Sequence, residues 1–138
     1  MILENVRSPR FLHLDMFKGR DKTAMLREHA LRPDSVIVAS AMHEGVDLKD
    51  DLARFQVIAK IPWPSTEDKL VKVRMQHDGS FLPYNCALKF IQSYGRPVRH
   101  KDDWATTYIT DQGYESFEKK CGWLLPKWFT AAVQRKAP

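Results

Sequence analysis

Residues 35–40, Ser-Val-Ile-Val-Ala-Ser, are almost wholly apolar, rich in β-branched side chains, and preceded by the turn signal Arg-Pro-Asp. A run of that kind suits a strand buried on both faces, as in parallel sheets. Two more runs repeat the pattern: 54–62 (RFQVIAKIP), stopped by Pro62 and Pro64, and 104–111 (WATTYITD). A shorter alternating run lies at 10–15. Helical stretches separate them. Residues 18–31 lack proline, Ser65 followed by Asp68 resembles a capping box opening a helix to about His77, and Gly79 stops it. A further helix covers about 84–95. The tail, about 113–135, reads as helical but is interrupted at Gly122, with Pro126 suited to a first helical position. Strands alternating with helices predict an α/β fold, a mostly parallel sheet flanked by helices. In such sheets ligands bind beyond the carboxyl ends of the strands, which makes the segment after Ser40 a functional edge.

The 138 residues make one domain, 1–138, with 43% hydrophobic and 28% charged side chains, the balance of a globular chain. Twenty-two basic against 17 acidic residues give a charge of +5, compatible with nucleic acid but too small to argue it alone. Cys86 and Cys121 are too few for a four-cysteine zinc or iron–sulfur site; free thiols in a reducing compartment are the default, and one disulfide stays open. No signal peptide pattern and no run of 18 apolar residues is present, so the expectation is a soluble, cytoplasmic protein with no membrane contact.

The five histidines form no HxxxH or HExxH pattern, and no metal site is expected. No P-loop, no acidic box and no G-x-S-x-G elbow occurs in these residues. Asp50–Asp51 and Asp102–Asp103 read as solvated turns. Trp123, Trp128 and Phe129 offer base-stacking surfaces, against which stands ordinary core packing. In 91–99 (IQSYGRPVR), Ala87, Ile91 and Tyr94 recur as a buried stripe, with Gln92 and Arg96 on the other side. Pro97 ends the helix near Gly95, so Arg99 stands on a loop. Spacing alone leaves two readings open: a solvated face, or a polar trio aimed at a phosphate, for which forked guanidinium donors are suited. In 40–51, Glu44 and Asp47 flank Gly45, and capping of a loop stands beside a binding role.

The order of these elements carries more than any one of them. Glu44, Gly45 and Asp47, then Lys60, Pro62, Trp63 and Pro64, then Gln92, Gly95, Arg96 and Arg99, then Asp102, Asp103, Trp104 and Asp111 follow one another as in the second motor domain of superfamily 2 helicases of the DinG/XPD type, which the chain resembles over about residues 10–120. The resemblance implies an incomplete RecA-like domain with motif V at about 40–48 and motif VI at about 92–99. It implies that Gln92, Arg96 and Arg99 form the catalytic motif VI set, reaching ATP held with Mg²⁺ by a separate P-loop-containing first motor domain. It further implies that Glu44, Gly45 and Asp47 couple nucleotide to DNA, that Ser40 contacts single-stranded DNA, and that Gly95 is a structural motif residue. Pro97, where the family usually carries an aliphatic residue, and Gly113, where many carry arginine, are departures. A helicase half inactive on its own is therefore the expectation. A non-catalytic nucleic-acid-binding or protein-interaction module on a degenerate helicase fold is the alternative.

Overall fold

The computed structural model of the chain describes residues 8–40, 46, 48 and 50–135. Strand β1 (Phe11–Leu12) leads through a short turn to helix α1 (Lys22–Leu31) and strand β2 (Val36–Ile37). Strand β3 (Phe55–Ile58), helices α2 (Lys69–His77) and α3 (Phe81–Tyr94), strand β4 (Thr106–Ile109), and helices α4 (Tyr114–Cys121) and α5 (Lys127–Ala132) follow. The expected elements form, at nearly the expected places.

Two helix starts, those of α1 and α2, are set by aspartates. Asp21 accepts from the backbone N–H groups of Thr23 and Ala24 (2.8 and 3.2 Å), so α1 begins at 22 and not 18; the preceding residues turn tightly, with Gly19 at φ +67°. Asp68 caps α2 in the same way through Leu70 N–H (2.8 Å), while Ser65 takes only the N–H of Glu67. The capping-box reading of Ser65 is thus corrected: Asp68 is the cap itself. Gly122 and Pro126 break the tail into α4, a short turn and α5 as expected.

All strand pairings among the described residues are parallel, but they form two pairs and not one sheet. β1 pairs with β2 (Phe11↔Val36, Leu12↔Ile37) and β3 with β4 (Phe55↔Thr106 to Ile58↔Ile109). Alternation along the chain dictates strand direction through the helical crossovers; it does not dictate which strands become neighbours. β2 also departs from the expected burial. Val36 and Ile37 are only half-buried, and Ser35 is the buried residue of the run.

One core lies between the β3–β4 pair and the helices behind it. Ile58 and Ile109 face inward onto Phe90 of α3 and Phe117 of α4. Phe90 is the centre: its ring lies 4.7 Å from that of Phe117 and 5.5 Å from that of Phe129, the latter edge-on at 87°. Phe117, Cys121, Leu125 and Phe129 recur every four residues and hold the broken tail against α3. Both cysteines are free and buried, and burial pushes the Cys86 thiol up to about 12. On the inward side Gln56 donates to the Tyr94 carbonyl and to Thr107 Oγ1 (2.9 Å each), tying the end of α3 to the sheet. Phe55 and Val57 point the other way and are half-exposed.

Phe90→Ala should lower unfolding stability by about 3–5 kcal/mol in urea titration, because no collapse of three helices can fill the site. Phe55→Ala, on the open face of the same sheet, should change it by about 1 kcal/mol or less.

Candidate functional site

The end of α3 delivers the arginines. The helix stops at Gly95, whose N–H reaches the Ile91 carbonyl at 3.0 Å, and Arg96 N–H turns back to Ser93. Gly95 has φ −79°, so no left-handed backbone requires glycine there; a Cβ would stand 3.4 Å from the Ile91 carbonyl oxygen. Pro97, the departure from the family pattern, is fully buried and anchors the loop. Beyond it, Arg99 turns back toward Arg96. Arg96 Nη1 and Arg99 Nη2 both donate to the carbonyl of Val46, at 3.2 and 2.9 Å. Val46 is itself buried, at 3% exposure. The end of α3 and the loop after it are therefore in direct contact with Val46, across 50 residues of sequence.

The loop after Pro97 is held by Asp103. Its carboxylate side chain has 0% exposure and accepts from Arg99 N–H (3.1 Å), Asp50 N–H (3.3 Å), Trp104 N–H (2.9 Å) and Arg54 Nη1 (2.8 Å). Burial opposes its charge, but the hydrogen bonds from Arg99, Asp50, Arg54 and Trp104 outweigh that and hold the carboxyl below the usual range. The reading of Asp102–Asp103 as a solvated turn is corrected: Asp102 is exposed, Asp103 is not. A buried carboxylate persists only when its acceptor sites are filled, and here they are. Arg54 also pairs with Asp51 (2.9 Å) and lies over the Trp104 ring at 5.0 Å. His100 Nε2 meets Asp50 Oδ1 at 2.9 Å.

A second clasp holds the same segment. His29 of α1 bonds the Leu52 carbonyl through Nε2 (2.8 Å) and Ser35 Oγ through Nδ1 (2.7 Å), and Ser35 Oγ lies 2.7 Å from the Arg32 carbonyl. At the far end of β4, Asp111 accepts from Ile61 N–H (2.6 Å) and Gly113 N–H (2.7 Å), joining the turn after β3 to the start of α4. A side chain at 113 would bring a Cβ to 3.0 Å from Asp111 Oδ1, so glycine accompanies this close approach.

Of the residues singled out from sequence, Arg96 and Arg99 are brought together, Gln92 stays exposed on α3, and Ser40 is exposed beyond β2. Glu44, Gly45 and Asp47 lie outside the described residues. Asp103, Arg54 and His29 were not singled out as site residues. Asp103 and Trp104 stood in the motif order, but nothing in a DDW triplet tells which aspartate turns inward.

Asp103→Asn keeps one carbonyl oxygen and replaces the other by an NH2 group, so two of the four donors lose their acceptor, and the melting temperature should fall by about 5 °C or more at pH 7. A carboxylate held below its ordinary value stabilises the fold above the unfolded value of about 4, and the contribution fades as pH falls through the folded value. The gap in melting temperature between parent and Asp103→Asn should therefore narrow between pH 6 and pH 3. A gap independent of pH would contradict the assignment.

With this geometry in place, comparison with known proteins is direct. The helicase C-terminal domain family matches residues 4–132. The chain is 30% identical over 115 residues to ATP-dependent DNA helicase CHL1 of Debaryomyces hansenii, covering 68% of this chain and 14% of that protein. It is 30% identical over 117 residues to ATP-dependent DNA helicase DDX11 of Mus musculus (73% and 12%). It is 27% identical over 109 residues to the general transcription and DNA repair factor IIH helicase subunit XPD of Schizosaccharomyces pombe (73% and 14%). The match spans only 12% to 14% of the length of these relatives. Short parallel strand pairs with flanking helices are accordingly an incomplete α/β fold of RecA-like type, and among the described residues no helix is long and apolar enough to cross a membrane. The chain belongs to the helicase C-terminal domain family, with relatives among the CHL1, DDX11 and XPD-type DNA helicases.

Proposed function

We propose that this chain is the second motor half of an ATP-dependent DNA helicase, supplying Arg96 and Arg99 to ATP bound by a separate P-loop domain and forming part of a single-stranded DNA track. The observation that carries the reading is the convergence of both guanidinium groups on the Val46 carbonyl. One carbonyl oxygen accepts from both forks, so this contact orients the two side chains together. Movement of the motif V segment would move both arginines with it, which is the coupling that a motor needs between nucleotide and strand.

Phosphoryl transfer needs a cradle for the β- and γ-phosphates, a held Mg²⁺, and positive charge at the oxygens where negative charge shifts. The donor set here fits only the last requirement. Planar forks match phosphate oxygens. The 138 residues contain no P-loop or acidic box, so the cradle and the metal ion would belong to the first motor domain, on the same or another polypeptide. Gln92, exposed one turn before Arg96, would add a neutral donor to the same cleft. Ser40, Glu44, Gly45 and Asp47 would line the strand side.

The chain alone should neither bind ATP tightly nor hydrolyse it, since exposed arginines gain little on a free nucleotide in salt. Joined to a P-loop domain, Arg96→Ala or Arg99→Ala should depress kcat by about 10³-fold while leaving ATP affinity within a few-fold. Lys18→Ala, on an exposed turn before α1, is the control. Steady-state ATP turnover and nucleotide titration separate the two effects. Equal turnover in the arginine variants and the parent would favour the non-catalytic alternative instead.

A further inference from the structure

The C-terminal segment has a second surface that the motor reading does not use. Phe117, Cys121, Leu125 and Phe129 turn inward at a spacing of four, and several of the residues between them are exposed. Trp123 is 71% exposed and Trp128 56% exposed, whereas Phe129, of the same aromatic cluster, is 1% exposed. Core packing therefore accounts for Phe129 and leaves both tryptophans at the surface. Trp128 is steadied from behind by Tyr94, with ring centroids 5.9 Å apart and planes tilted by 35°. Trp123 is fixed by its indole N–H, which donates to the Lys120 carbonyl at 3.1 Å. Five residues separate them, so they stand within about 18 Å of each other.

Within residues 119–135 the charge has one sign. Residues 119–135 contain Lys119, Lys120, Lys127 and Arg135 and no aspartate or glutamate. Arg135 is paired with Glu118 of α4, which leaves the three lysines, all exposed. Lys120 also lies 5.8 Å from the Trp63 ring centroid. Flat aromatic faces, immobilised from behind and interleaved with lysines, complement a flexible polyanion that carries planar groups. Duplexes hide those planar faces; single strands present them.

We propose that the outer side of residues 119–135 is a docking surface for single-stranded nucleic acid, with Trp123 and Trp128 as stacking platforms and Lys119, Lys120 and Lys127 as phosphate contacts. It is built on residues other than those of the 40–48 segment and does not rest on the motor reading.

The test is anisotropy titration of the full chain against a fluorescein-labelled dT20 at several salt concentrations. Trp123→Ala and Trp128→Ala should each weaken binding by about fivefold or more, the effect of losing one stacked base. Trp128→Leu keeps an apolar contact to Tyr94 and should weaken binding as Trp128→Ala does, with an unchanged thermal melt. Lys127→Ala should reduce the steepness of log K against log salt by about 0.7. Lys18→Ala should leave dT20 binding at the parent level; the readout needs neither ATP nor a P-loop domain, so a failed ATP experiment and a failed oligonucleotide experiment are told apart. Three results would overturn the proposal: no binding of dT20 by the parent at 50 mM salt, parent-like binding by both tryptophan variants, or a parent dimer on gel filtration that the tryptophan variants convert to monomer.

Discussion

A single carboxylate, that of Asp103, decides how the second half of the chain is arranged. It sits with no exposed side-chain surface between the loop after α3, the segment that leads into β3, and the start of β4, and it takes a hydrogen bond from each. Three of its donors are backbone N–H groups, which fixes main chain and not merely side chains. The fourth, from Arg54, supplies the opposite charge that a buried carboxylate needs. Through that group the backbone at Arg99 is tied to the backbone at Asp50, and the Arg99 side chain meets the Val46 carbonyl from the same loop. The apolar core explains why α3 and α4 pack; the carboxylate explains why the polar ends of those elements register against one another.

Local physics made much of this legible in advance. β-branched runs at 35–40 and 54–62, the stop signals at Pro62 and Gly79, and the break at Gly122 all act over a few residues, and each found its element. The motif order carried the family across most of the chain. Three things were not legible, and for a common reason. The pairing of β3 with β4, the inward turn of Asp103 as opposed to Asp102, and the choice of Asp68 over Ser65 as cap depend on partners or geometry that sequence spacing does not encode. The aromatic cluster at 123–129 makes the same point: a tryptophan and a phenylalanine side by side, Trp128 and Phe129, end on opposite sides of one helix, one exposed and one buried.

Pro97 and Gly113 are the departures from the family pattern, and both take part in the local packing. The proline is among the most buried residues of the chain, filling the corner around which Arg99 returns to Val46. The glycine leaves room for Asp111 to accept two backbone N–H groups at 2.6 and 2.7 Å. Substitutions of family residues are thus absorbed where the main chain turns, away from the two guanidinium groups.

The clasp at His29 obeys a count of hydrogens. The Leu52 carbonyl can only accept, so Nε2 must carry a proton. In the neutral ring Nδ1 is then bare and must accept from Ser35, whose hydroxyl has one hydrogen and is also claimed by the Arg32 carbonyl. Two acceptors share one donor, and the hydroxyl rotor can serve one at a time. Whenever it turns toward Arg32, the imidazole is left with a lone pair facing an oxygen, while Nε2 goes on joining α1 to Leu52. The turn between α1 and β2 therefore has a rotor with two settings, governed by rotation about the Cβ–Oγ bond of a single serine.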